Sequence, residues 1–162
     1  MIDTVQVPLS DPESVHVTLY HRSELPPGSS LHDVIDRLDH LADHGCIDEL
    51  SVREWPARAT TTSSDHSSAF RLFERLDRAA DRMSISLAPF FERYRRVNHL
   101  LDSEEEVLVF PTFAIEVTDA AGGETRALAP CSTGHTTCSF EDMVRALELN
   151  NPTGASQIQC CP

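Results

Sequence analysis

Residues 15–42 read V-H-V-T-L-Y-H-R-S-E-L-P-P-G-S-S-L-H-D-V-I-D-R-L-D-H-L-A, and the hydrophobic period changes once along them. Val15, Val17 and Leu19 alternate with His16, Thr18 and Tyr20, the period of a strand with one buried face. Beyond Pro26, Pro27 and Gly28, the residues Leu31, Val34, Ile35, Leu38, Leu41 and Ala42 recur at helical spacing and form one apolar stripe. Ser30 stands where an N-cap is wanted, with Asp33 at the third helical position, and Gly45 is placed to stop the helix. The run I-D-E-L-S-V-R-E-W then predicts a second strand, with Leu50 and Val52 on one face, ending at Pro56. A strand, helix and strand of this length favour a parallel pair joined by a right-handed crossover.

A chain of 162 residues is long enough for one sizeable core. The expected domain runs over 14–149, between a loose lead-in at 1–13 and a flexible tail at 150–162. Residues 57–68, rich in Thr and Ser, are expected as a surface linker. A second helix is predicted over 66–83 on the stripe Ala69, Leu72, Phe73, Leu76, Ala80 and Met83. After a break at 84–88, Pro89 is a suitable first residue for a short helix through F-F-E-R-Y-R-R. Residues 102–106 are expected as an acidic turn. V-L-V-F-P-T-F-A-I-E-V follows as one strand, interrupted at Pro111 because proline cannot donate to a ladder. Gly122 and Gly123 turn the chain into a fourth strand near 124–129. A loop over 131–138 precedes Ser139 and Asp142, a capping box for a last helix with Met143, Val144, Leu147 and Leu149 inward. The expected class is α+β in the order β-α-β-α-β-β-α, a four-stranded mixed sheet with flanking helices.

The net charge is −13, lysine is absent, and all thirteen basic residues other than histidine are arginines. Such a surface suits high salt, where carboxylates hold water and screening removes their mutual repulsion. No apolar run reaches the roughly 20 residues a membrane helix needs, so a cytoplasmic protein with no membrane partner is expected. Cys46 stands apart from Cys131, Cys138, Cys160 and Cys161; an odd number so spaced is not a secreted disulfide framework.

Three local runs resemble the thioredoxin and glutaredoxin fold: V-T-L-Y-H-R leading through a proline loop into a helix, V-F-P-T-F before a glycine hairpin, and C-S-F-E-D before the last helix. The resemblance implies that Pro111 is cis and faces the loop 21–30. It also implies a C-x-x-C in that loop, where this chain reads S-E-L-P-P-G-S-S. Thiol–disulfide exchange needs a thiolate nucleophile, so oxidoreductase activity, and enzyme activity generally, is not expected. The whole chain, through R-L-D-H-L-A-D-H-G-C-I-D-E-L, A-P-F-F-E-R-Y, A-P-C and F-E-D-M-V-R-A-L, is similar to a haloarchaeal family of small proteins labelled as helix-turn-helix proteins. That resemblance implies DNA binding and transcription regulation.

Three candidate sites follow. The first is a partner-docking edge for another protein at Arg22, Pro27, Gly28, Ser30 and Pro111, in a regulatory or adaptor role. The second is an arginine-rich region over 67–98, with Arg71, Arg75, Arg78 and Arg82 on one outward helix face and Arg93, Arg95 and Arg96 on the next element. Its seven arginines against four acids reverse the local charge and could meet DNA phosphates. A solvated face with local Arg–Glu pairs is the alternative for the same residues. The third is a zinc module at Cys131, His135, Cys138 and Cys160, on a spacing that matches no standard ribbon or finger. Composition and spacing leave the oligomeric state open.

Overall fold

The computed structural model describes residues 5–8, 15–44, 47–119, 123–149 and 157–160. The expected helix stop Gly45, together with Cys46 and Gly122, lies outside the described residues. In chain order the elements are β1 (Val5–Pro8), β2 (Val15–Arg22), α1 (Leu31–Asp43), β3 (Glu49–Trp55), β4 (Arg58–Thr60), α2 (Ser67–Arg82) and β5 (Glu92–Asn98). They continue as β6 (Ser103–Val109), β7 (Phe113–Asp119), β8 (Thr125–Ala129), β9 (Cys131–Ser132), β10 (Thr137–Cys138), α3 (Phe140–Leu149) and β11 (Gln157–Cys160). β1 and β11 pair antiparallel.

The main sheet has the order β3-β2-β7-β8. β2 and β3 are parallel, with Val17 opposite Leu50, and β7 runs antiparallel to both β2 and β8. The class is therefore α+β with a four-stranded mixed sheet. With β1, β4 to β6 and β9 to β11 set aside, the chain runs β2-α1-β3-α2-β7-β8-α3, the expected order. Alternation in β2 and β7 sends Val15, Val17, Leu19, Ile115 and Val117 to one face. α1 and α3 cover that face with Leu38, Leu41, Met143, Val144 and Leu147, all buried. Phe140 of α3 stacks on Phe113 with ring centroids 5.4 Å apart. Ser30 caps α1 by accepting from the Asp33 N–H at 3.3 Å. Ser139 and Asp142 exchange two 3.0 Å hydrogen bonds at the start of α3, the capping box anticipated from their spacing. Arg37 ties the two helices by donating to Glu141 at 2.8 Å and to Glu148.

α2 covers the opposite face, where a second sheet of order β4-β6-β5 joins it. Trp55 sits at the junction. Its ring stacks on Tyr20 at 4.9 Å, meets Phe110 at 4.8 Å and takes the edge of Phe91 at 5.5 Å. Phe91 in turn contacts Phe73 of α2. Trp55 Nε1 donates to the Pro111 carbonyl at 3.0 Å, so the one polar atom of the ring is satisfied within the junction.

The second sheet corrects several expectations. Residues 57–68 are not only a linker, because β4 pairs with β6 and buries Ala59. The stretch expected as a helix after Pro89 is the strand β5, whose period-2 residues pair with β6 from Glu92 opposite Val109 to Asn98 opposite Ser103. The expected acidic turn at 102–106 belongs to β6; opposite the arginines of β5 its glutamates are better placed in a ladder than in a loop. V-L-V-F-P-T-F-A-I-E-V is two strands in two sheets, and Pro111 is the corner between them. The cis peptide bonds among the described residues precede Pro89 and Pro130, so the expected cis bond at Pro111 is not formed. Pro111 does lie at the end of β2: the Arg22 N–H donates to the Thr112 carbonyl at 3.0 Å, and Arg22 Nε donates to Phe110 at 2.8 Å. The loop 131–138 is a small hairpin of β9 and β10.

Because Trp55 joins two sheets and α2, Trp55→Ala is expected to lower unfolding free energy by about 3–5 kcal/mol. The midpoint of denaturant unfolding followed by circular dichroism checks this.

Candidate nucleic-acid interface

The seven arginines of the basic region do not form one surface. Arg75 leaves the outward stripe and leans onto the sheet. Its Nη1 and Nη2 donate to both oxygens of Glu116, at 2.8 and 2.9 Å. The Tyr20 hydroxyl donates to Glu116 Oε1 at 2.8 Å and the Thr125 hydroxyl to Oε2 at 2.6 Å. Glu116 is 1 % exposed, so this carboxylate is held entirely by protein donors. Burial pushes its pKa up, but the Arg75 and Thr125 hydrogen bonds, the Arg75 charge and Tyr20 outweigh it, and the net position is below the usual carboxylate range. Burial first, and then the Glu116 charge, raise the Tyr20 phenol well above its ordinary value.

Arg82 donates to the Thr125 carbonyl at 3.1 Å and lies 3.4 Å from Glu124. On β5, Arg93 makes a two-pronged contact with Glu106 at 2.7 and 3.0 Å, and Arg96 donates to Glu105 at 2.6 Å. The hydrogen bond from Arg93 holds Glu106 below the usual range; those from Thr62 and Arg96 do the same for Glu105. Arg93 also lies in the field of Glu74 and Asp77, and Phe91 just before β5 contacts Phe73, which places the hairpin base beside α2. Arg95 lies in the field of Glu106. Arg71 and Arg78 are exposed on α2 and have no carboxylate partner within 4.0 Å among the described residues; Arg78 donates only to the Glu74 carbonyl. The sequence had no signal separating these two from Arg75, because the same helical spacing serves both roles.

The β5–β6 hairpin was not legible as such, although E-R-Y-R-R-V-N and S-E-E-E-V-L-V carry complementary charges. Asn98 Oδ1 accepts from the N–H groups of Leu100 and Leu101 at 3.0 and 3.3 Å and shapes its tip. Asp102 completes the turn at a φ of 48°.

Of the docking-edge residues, Arg22 spends its guanidinium on the Phe110 carbonyl, and Ser30 is the cap of α1. Pro27 and Gly28 are exposed, and Gly28 has a φ of +87°, which a side chain would strain. Pro111 is half-buried at the corner, with its carbonyl held by Trp55. Cys131 and Cys138 face each other in register and are buried, His135 is exposed, and Cys160 lies outside the residues whose side chains are described. Cys138 is disulfide-bonded, whereas zinc binds the thiolate. Among the described residues no group of three or more His, Cys, Asp or Glu is placed to hold a metal ion. Nor is any described helix long and apolar enough to cross a membrane.

Residues 9–151 match the family described as Helix-turn-helix domain. The chain belongs to that family. No curated protein and no solved structure matches it. In this member of the family, no two described α-helices follow one another across a short turn: β3 and β4 lie between α1 and α2, only a single 3-10 turn at Ser64–His66 runs directly into α2, and α2 leads into β5. The helix expected over the second half of 67–98 is thus replaced by a strand.

Arg75→Ala strands a buried carboxylate and is expected to cost roughly 2–4 kcal/mol, less than a fully buried pair because Arg75 is half-exposed. Glu116 has a depressed folded pKa, so its contribution is complete above the unfolded value of about 4.3 and is lost as pH falls through the lower folded value. The stability gap between wild type and Glu116→Gln is therefore expected to close on acidification, as measured by urea unfolding at several pH values.

Proposed function

We propose that the protein is a non-catalytic regulator that binds duplex DNA through the outward face of α2, with the base of the β5–β6 hairpin beside it. The observation that carries this reading is the state of Arg71 and Arg78. In a chain of net charge −13 they are exposed cations with no carboxylate partner among the described residues, on the helix of a protein in a family described as Helix-turn-helix domain. Two or three such arginines suit phosphate contact, which positions a protein on DNA without reading its sequence. The net-acidic remainder of the surface disfavours phosphate away from this face.

Arg71→Glu with Arg78→Glu is expected to lower duplex affinity at least tenfold in fluorescence anisotropy and to flatten the salt dependence, with the circular dichroism unchanged. Equal binding by wild type and variant, or none by wild type across a salt titration, counts against the reading. Arg75 is not a useful probe here, since its loss disturbs the fold.

A second reading, a regulatory or adaptor role in docking a protein, is favoured by the loop 23–30. Pro26, Pro27 and Gly28 are exposed on a frame anchored by Arg22 to Phe110 and Thr112. The absence of cysteine from this loop supports a role without redox turnover. On this reading, Pro27→Asp abolishes co-purification of a protein partner while leaving DNA affinity unchanged. Retention of that partner by Pro27→Asp would reject it.

A further inference from the structure

β5 is the edge of the second sheet and has β6 as its one strand neighbour among the described residues. All seven of its residues are exposed. The hairpin also gathers apolar surface. Of the six large hydrophobic side chains exposed among the described residues, Tyr94, Val97, Leu100 and Leu101 are on it, with Leu100 97 % and Leu101 74 % exposed. A long open edge of this kind invites pairing with another strand unless its side chains oppose that.

We propose that β5 pairs antiparallel with β5 of a second copy of this chain, about a two-fold axis passing beside Tyr94. The argument is charge complementarity. In an antiparallel pair, residues directly opposite share a face, so a two-fold centred on Tyr94 sets Glu92 of one copy against Arg96 of the other, twice, with the two Tyr94 rings adjacent between them. Arg96 has N–H groups beyond those on Glu105, because a guanidinium carries five. On the other face, Arg93 meets Arg95 of the second copy. Both are accompanied there by a Glu106, which is bound by Arg93 and lies in the field of Arg95 of its own chain. Registers centred on Arg93, Arg95 or Arg96 put an arginine against itself on the axis and lose the Glu92–Arg96 pairs.

The same register carries the apolar tip past the strand. Val97 comes opposite Phe91 of the second copy, whose ring is buried in its own aromatic junction, and Leu100 comes level with its Ala88 and Pro89, which are exposed and offer the apolar contact. Each tip thus finds the apolar segment before the other copy's β5, and the two small sheets become one with the order β4-β6-β5-β5-β6-β4. Association through β5 uses neither Arg71 nor Arg78 of α2 and stands whether or not the protein binds DNA.

The test is analytical ultracentrifugation of the full chain and of two variants, Glu92→Arg and Arg96→Glu, at micromolar concentration. Both positions are exposed, and circular dichroism confirms that each variant folds. Wild type is expected to be a dimer. Each variant alone sets like charges opposite each other and is expected to be a monomer. Mixing the two in equal amounts brings opposite charges face to face again at both contacts, and restores the dimer as a heterodimer. A monomeric wild type overturns the proposal, as do single variants that remain dimeric. Monomeric variants that fail to associate on mixing overturn the register and the proposal with it.

Discussion

The arrangement depends on the contact of Trp55 with the corner at Pro111. The chain passes from the main sheet to the second sheet after Trp55 and returns through Phe110, Pro111 and Thr112. At the outgoing crossing the indole ring stacks on Tyr20; at the returning one its N–H holds the Pro111 carbonyl. Arg22 holds Phe110 and Thr112 from the end of β2, so both crossings are fixed to the same central strand. Phe91 and Phe73 extend the aromatic cluster to α2. Two sheets and a helix therefore share one apolar junction, and the hairpin projects from it.

Charge is used locally in a way that the net value hides. The most buried carboxylate among the described residues, Glu116, sits between the sheet and α2 and is held by Arg75, Tyr20 and Thr125. Losing one donor would leave a desolvated charge, so the group specifies how α2 lies on the sheet more than it adds net stability. The Arg96–Glu105 pair, directly opposite across β5 and β6, and the diagonal Arg93–Glu106 pair are half-exposed and individually weak, yet together they favour one alignment over its neighbours. Arginine suits both settings, because its planar fork bonds a carboxylate at two points and never loses its charge.

This division of labour limits any surface role of the basic region. Of seven arginines grouped by sequence, Arg75, Arg82, Arg93 and Arg96 are engaged with Glu116, Glu124, Glu106 and Glu105. The apparent reversal of charge over 67–96 is largely offset by acids that lie a hairpin away in sequence. Arg71 and Arg78 on α2, with Arg95 on β5, are what remains of the patch.

The sequence by itself determined the elements whose period and caps are local. β2, α1, β3, α2, β7, β8 and α3 follow from alternation in V-H-V-T-L-Y, from stripes such as Leu31 to Ala42, and from Ser30 and Ser139 at helix starts. A parallel first pair and an α+β sheet follow from their order. Only the tertiary structure decided the second sheet. E-R-Y-R-R-V-N has no buried face of its own, so its period carried no hydrophobic signal, and the preceding proline pointed to a helix instead. Its strand state rests on pairing with β6, a partner whose acids looked like a turn for the same reason. The roles of individual arginines were decided there too. Helical spacing sets which side of α2 a residue leaves from, whereas the carboxylate it meets belongs to a strand about forty residues later, brought within reach only when the sheet closes.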